Sequence, residues 1–239
     1  MKTIHWAMIG TGDVTEKKSG PGFYKAKNSV LYGVTNRTLA KAEDYAKRHH
    51  VEKVFASVDD LLADPKVDAV YIATPPGSHK DYALRCAEAG KVCYIEKPIA
   101  LTYNEALEIS EAFKKANVKA FVAYYRRTLP RFTEVKVLLD AGTIGDVRFV
   151  NVAYYRPAAK DEINGTHWHV QPEISGGGIF MDMAVHTLDI LDFFFGAIEK
   201  VAAFSVNQAG YYAPEDNVAL SFAFDNHVTG TGNWCFTTD

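Results

Sequence analysis

Four short apolar runs, Ile4–Ile9, Val30–Val34, Ala69–Ile72 and Val92–Ile95, recur along the first half of the chain, each followed by a helix-like segment. This alternation is the strongest constraint on the fold. Continuous apolar runs suit strands buried on both faces, and strands alternating with helices require crossovers, so the pattern predicts a doubly wound parallel sheet. Helices are expected over Leu39–His49, Val58–Ala63 and Tyr82–Ala89, with Ser78 placed to cap the last of these and Gly90 to stop it. Thr102, with Glu105 in capping-box position, opens a further helix to about Ala116 before a strand over Lys119–Ala123.

The pattern changes after Tyr124. A helix over Leu129–Ala141 and a strand over Val147–Tyr155 precede a polar, irregular stretch, Arg156–Ile174. Gly176-Gly177-Gly178 then opens an apolar helix over Ile179–Phe195, and strands are expected over Val201–Val206, Val218–Phe224 and Val228–Phe236 with a hairpin at Asp225-Asn226. Consecutive strands after an α/β half predict a second domain of α+β type on an open, mainly antiparallel sheet. The expected boundaries are 1–124 and 125–239. The chain stops at Asp239 directly after a strand, which predicts an incomplete sheet with an edge in need of cover.

Composition narrows the class. Of 239 residues, 48% are apolar and 23% charged, and the net charge of −3 carries no basic excess to attract nucleic acid or an anionic membrane surface. No apolar run approaches a membrane span, and the first residues have no signal-peptide layout. Three cysteines, Cys86, Cys93 and Cys235, cannot all pair and show no C-x-x-C spacing, so the expectation is a cytoplasmic protein with reduced thiols and no metal.

Ligands of doubly wound sheets bind beyond the carboxyl ends of the strands. Gly10-Thr11-Gly12-Asp13-Val14-Thr15 follows a strand and opens a helix, the context of a dinucleotide fingerprint, with threonine at its third small-residue position. The second strand ends in Thr35-Asn36-Arg37 without a carboxylate to hold a ribose hydroxyl, and a guanidinium pairs with phosphate, so NADP is expected over NAD. Lys97, in Glu96-Lys97-Pro98, stands at the mouth of the same crevice, although a surface position at a strand end is the usual fate of lysine. Asp182 and His186, four apart on one helix, share a face suited to proton transfer, or to a plain surface ion pair. His167, His169, Asp182 and His186 include metal-binding residue types without a metal-site spacing.

Together, Gly10-x-Gly12, Thr74-Pro75-Pro76-x-x-His79, Glu96-Lys97-Pro98, Tyr125-Arg126-Arg127 and Gly176-Gly177-Gly178 followed by Asp182-x-x-x-His186 resemble the Gfo/Idh/MocA oxidoreductases, in order and over nearly the whole chain. The resemblance implies a Rossmann domain followed by a domain whose open sheet mediates a homo-oligomer, dimer or tetramer. It implies that Lys97 contacts the substrate hydroxyl and the nicotinamide ribose, that His186 exchanges the proton, and that Asp182 orients a sugar or polyol. It further implies that Gly10, Thr11, Gly12, Asp13, Val14, Asn36, Arg37, Ala73, Thr74, Pro75, His79, Glu96, Lys97, Tyr124 and Trp168 line the cofactor. Tyr155, Trp168 and His169, with Tyr154, are expected to wall the substrate alongside Lys97, Asp182 and His186. His169 stands where arginine often follows the tryptophan, and members usually continue through further strands. The implied activity is reversible hydride transfer between NADP or NAD and a CH–OH carbon. A nucleotide-sensing regulator and a glycosidase using bound NAD are the alternatives.

Overall fold

The computed structural model describes residues 2–238 and divides into two compact units, 1–123 and 124–239. The first contains strands β1 (Ile4–Ile9), β2 (Ser29–Thr35), β3 (Lys53–Val54), β4 (Ala69–Ile72), β5 (Val92–Ile95) and β6 (Ala120–Val122). Its helices are α1 (Asp13–Lys17), α2 (Gly20–Lys25), α3 (Leu39–His49), α4 (Val58–Ala63), α5 (His79–Glu88) and α6 (Tyr103–Ala116). All strand pairs are parallel, in the order β3-β2-β1-β4-β5-β6, which is the doubly wound arrangement predicted from the alternation. Two apolar clusters cover the two faces: Ile9, Val70, Ile72, Ile95, Ile109 and Phe113 on one, Met8, Phe23, Val34, Tyr45 and Tyr71 on the other. Cys86 and Cys93 pack within the first cluster, where burial pushes the Cys93 thiol well above its usual value.

Two local readings differ from expectation. Ser78 occupies the cap position of α5 but caps nothing; its hydroxyl bonds Thr74 Oγ1 at 2.8 Å and Pro75 O at 3.0 Å, and α5 begins earlier, at His79. Thr102 does cap α6, accepting from Glu105 N, while the Glu105 carboxylate accepts from Leu101 N.

The second unit contains α7 (Pro130–Asp140), β7 (Phe149–Tyr155), α8 (Lys160–Ile163), α9 (Pro172–Ser175), α10 (Ile179–Phe195), β8 (Ile198–Val206), β9 (Asn217–Phe224) and β10 (Thr229–Cys235). Its sheet runs β7-β10-β9-β8; β9 is antiparallel to both neighbours, but β10 pairs with β7 in parallel, so the sheet is mixed. One face packs in clusters that join Ile179, Ala184 and Leu191 of α10 to Val152, Tyr154, Phe222 and Trp234 of the sheet. The opposite face, with Phe149, Tyr155, Thr231 and Phe204, is exposed. Residues 156–174, read as irregular, hold two short helices and a 3₁₀ turn, Trp168–Val170. Side chains make the first helix and the turn: Arg156 forks onto Glu162 at 2.6 and 3.0 Å, Glu162 accepts from Ala159 N, and His167 accepts from His169 N.

Candidate functional site

In the first unit, one row of main-chain bonds aligns the strand ends. Gly10 N donates to Thr35 O, Ala73 N to Ile9 O, Glu96 N to Ile72 O and Ala123 N to Ile95 O, all at 2.8–3.0 Å. Gly10, Ala73 and Glu96, with Lys97 next to it, thus share the carboxyl edge of one sheet. Gly10 has φ +96°, and a Cβ there would meet Ala73 O at 2.8 Å, so no other residue fits the turn. A Cβ on Gly12 would meet nothing within 4 Å, which leaves open space over the loop for a ligand to approach. Thr15, at the third fingerprint position, is fully buried and donates its hydroxyl to Gly12 O at 2.7 Å. The close packing usually met by the third glycine falls here to Gly20, whose Cβ would lie 1.9 Å from Thr15 O.

The neighbours of this loop are anchored. Asn36 donates to Thr11 Oγ1 at 2.8 Å and accepts from Thr38 N at 2.9 Å, so its amide braces the loop, while Arg37 beside it is exposed. His79 is fully buried, with its ring nitrogens 2.9 Å from Pro98 O and 2.7 Å from Thr74 O. Burial lowers its pKa against the pull of those carbonyls, and the neutral ring donates to one of them at a time. The side chain expected to line the cofactor is therefore a clamp between the Thr74-Pro75 turn and the Lys97-Pro98 turn. Glu96 is held inside as well: Tyr71 donates its hydroxyl to one carboxylate oxygen, and Lys97 N donates to the other at 3.2 Å. Burial raises the Glu96 pKa while these donors oppose it. Lys97 itself is half-buried and precedes a cis peptide bond to Pro98.

The turn at Gly10 and the open space at Gly12 suit the close approach of a dinucleotide's phosphates; Thr11, Asp13 and Val14 belong to this loop and its helix, and Thr74 and Pro75 follow the neighbouring strand end at Ala73.

In the second unit, His186 is buried on α10 and packed edge-on by Tyr125, with ring centroids 5.3 Å apart, and by Tyr124 at 6.4 Å. The Tyr124 hydroxyl is pushed up to about 12 by burial first and the Asp189 charge second. Arg127 fixes this turn to the helix, donating to Asp189 Oδ1 at 2.8 Å through Nε and to Asp192 Oδ2 at 2.9 Å. Asp182 lies one turn before His186, with Oδ1 3.5 Å from His169 Nε2, and Trp168 lies against His169 with ring centroids 3.7 Å apart. Asp182, His186, Trp168, His169 and Tyr124 thus belong to one unit.

Tyr155 does not join them. Strand alternation sends Tyr154 to the α10 side and leaves Tyr155 exposed on the opposite face, so the expected substrate wall loses that member. The glycine run is also needed by the fold: a Cβ on Gly178 would lie 2.6 Å from Pro214 Cβ. Residues unassigned from sequence include Tyr71 and Asp189. Asp189 follows His186 by three positions, a spacing that marks a shared helix face; Tyr71 carries no comparable signal, and His167 stands out in the sequence only among the metal-binding residue types. Among the described residues, no group of three or more His, Cys, Asp or Glu is arranged to hold a metal, and no helix is long and apolar enough to cross a membrane.

Comparison with known proteins adds the family. Residues 4–124 match the model of the oxidoreductase family with an NAD-binding Rossmann fold, and residues 132–239 match the GFO/IDH/MocA C-terminal domain. Oxidoreductase P35 of Formosa agariphila is 41% identical, over 98% of this chain and 73% of that protein. The scyllo-inositol 2-dehydrogenase (NAD(+)) of Bacillus subtilis is 33% identical, over 81% of this chain and 54% of its own length. The WlbA dehydrogenase of Chromobacterium violaceum, solved with NADH and UDP-GlcNAcA, superposes with a TM-score of 0.88 at 27% identity, over 100% of this chain and 68% of that one. The chain thus spans from about half to about three-quarters of the relatives it matches. On both of its halves, fingerprint loop and mixed sheet alike, it belongs to the Gfo/Idh/MocA oxidoreductase family.

Proposed function

We propose that this chain is an NAD(P)-dependent dehydrogenase or reductase acting on a CH–OH carbon of a sugar, polyol or related hydroxyl compound. The observation that carries the reading is the shared carboxyl edge, where Gly10 and Lys97 stand on one row of strand ends. A nicotinamide bound there would supply the redox chemistry, hydride transfer. Gly10, Gly12 and their neighbours would hold the pyrophosphate through main-chain approach, and Arg37 would pair with a 2′-phosphate, which favours NADP. Asn36, His79 and Glu96 serve by keeping the loop and the two turns in place rather than by contact.

Lys97 stabilises negative charge on the substrate oxygen. His186 takes the hydroxyl proton during oxidation and returns it during reduction; Asp182 orients both the substrate and that exchange. Residues 1–124 serve as the dinucleotide-binding domain and residues 125–239 as the substrate and oligomerisation domain, with the exposed face of the mixed sheet meeting a second copy. A relative named for scyllo-inositol and another solved in complex with UDP-GlcNAcA support the substrate class.

The test is a titration with NADPH and NADH followed by a panel of polyols, sugars and nucleotide sugars, read by the absorbance of reduced nicotinamide. Turnover with at least one polyol or sugar supports the reading. Tight cofactor binding with no turnover across the panel replaces it with the regulator.

A further inference from the structure

Four side chains of the second unit form a line away from the candidate site: Asp182, His169, His167 and Asp161. Asp182 Oδ1 lies 3.5 Å from His169 Nε2, His169 Nδ1 lies 3.1 Å from His167 Nδ1, and His167 Nε2 lies 3.7 Å from Asp161 Oδ2. Side-chain exposure increases along this line, from 19% at Asp182 through 23% and 29% to 54% at Asp161.

The protonation pattern follows from the neighbours. His167 Nδ1 accepts the main-chain N–H of His169 at 3.3 Å, so its lone pair faces inward and its proton sits on Nε2, toward Asp161. The Nδ1–Nδ1 contact then needs a proton on His169 Nδ1. That leaves His169 Nε2 facing the Asp182 carboxylate as the position that gains a proton. Glu162, the other acid beside His167, is occupied by Arg156, whose guanidinium holds it below the usual carboxylate range against the opposing effect of burial.

We infer that His169 and His167 form a proton relay that connects Asp182 with bulk water through Asp161. The inference rests on the proposed roles of His186 and Asp182. The relay takes up, at Asp182, the proton that the candidate site gives up during oxidation; Asp182 lies one helical turn from His186 on α10. The Asp182 O–H bond breaks as His169 Nε2–H forms; His169 Nδ1–H breaks as His167 Nδ1–H forms; His167 Nε2 releases its proton to the Asp161 carboxylate and thence to water. No electrons leave the line, and charge balances because one proton enters for each that exits. Exchange with water at the half-exposed rings restores the starting tautomers after each outward passage, and reduction runs the same steps in reverse from the shifted tautomers, with His167 Nε2 accepting a proton as His167 Nδ1 and then His169 Nε2 release theirs inward. Imidazole suits this task because it accepts at one nitrogen and releases at the other near neutral pH.

Two measurements on the intact chain test the relay. Imidazole ¹⁵N shifts report tautomers without any turnover: the relay requires an unprotonated Nδ1 on His167 and a protonated Nδ1 on His169, and Nδ1–H on His167 overturns it whatever the activity. The second uses His167→Asn, whose amide oxygen keeps the bond from His169 N but has no second nitrogen to pass a proton outward. Single turnovers in weak buffer with a pH-indicator dye should show proton release about tenfold slower than reduced-nicotinamide formation in the variant, and simultaneous in the native chain. Added imidazole should remove the lag without changing the substrate KM. Simultaneous release in the variant, or a lag that imidazole leaves in place, overturns the relay. Absence of turnover in the native chain counts against the proposed function, and the tautomers then decide the relay by themselves.

Discussion

The two units hold their functional groups by different means. In the first, the main chain does most of the holding: a row of strand-end bonds sets Gly10, Ala73 and Glu96, and His79 clamps two turns through their carbonyls. In the second, side chains hold side chains: Arg127 on Asp189, His169 on Asp182, His167 on His169. Main-chain bonds do not titrate and barely depend on residue identity, whereas each side-chain pair is sensitive to substitution and to pH. A fixed cradle suits a constant ligand such as a dinucleotide, and adjustable pairs suit proton handling.

The contrast can be broken by substitution. The largest effect is expected from Lys97→Met, which should lower kcat by about 100-fold or more while leaving the cofactor Kd near its native value; full activity would remove the lysine from the chemistry. Gly10→Ala should cost about 1–3 kcal/mol in urea unfolding, because a Cβ is forced against Ala73 O at positive φ, and should weaken dinucleotide binding with it. Native stability in that variant would show that the row yields. Arg127→Lys tests the other side: with its forked contacts to Asp189 and Asp192 lost, the second unit should lose about 1–2 kcal/mol of stability even though the charge is kept. No loss would mean that charge alone suffices.

Smaller effects sharpen the comparison. Arg37→Asp should shift the NADPH-to-NADH ratio of dissociation constants by about tenfold toward NADH, read by cofactor fluorescence. The smallest is a pH effect. Glu16 is lowered from 4.5 to about 2, chiefly by its bond to Arg48, with His49 adding to it and burial opposing. A depressed carboxylate adds stability above its unfolded value that is lost as pH falls through the folded one, so the first unit should weaken between about pH 4.5 and 2. Glu16→Gln should flatten that slope in acid unfolding curves.

Legibility from sequence divides by range. Helices α3, α4 and α10 and strands β1 and β4 match the expected bounds residue for residue, because period and capping are local signals. The parallel pairing of β7 with β10 was not legible, since their partnered residues lie 80 apart and nothing local encodes which strands meet. The short helix at 160–163 and the turn at 168–170 escaped for a related reason: Arg156, Glu162 and His167 hold them, and these bonds exist only once the segment is folded. Ser78 illustrates the reverse case, a good cap residue whose hydroxyl found Thr74 and Pro75 instead.

By itself the sequence determined the doubly wound half, the glycine turn, and the helix that carries Asp182 and His186, since each follows from spacing within a few residues. Only the tertiary structure decided which groups face outward and which serve as braces: Asn36 turned to Thr11 Oγ1 and Thr38 N, His79 to two main-chain carbonyls, and Tyr155 fell on the opposite face from Tyr154. It also set His167 and His169 in line with Asp182. Burial and hydrogen-bond satisfaction are properties of a packed environment, and no stretch of chain contains that environment in advance.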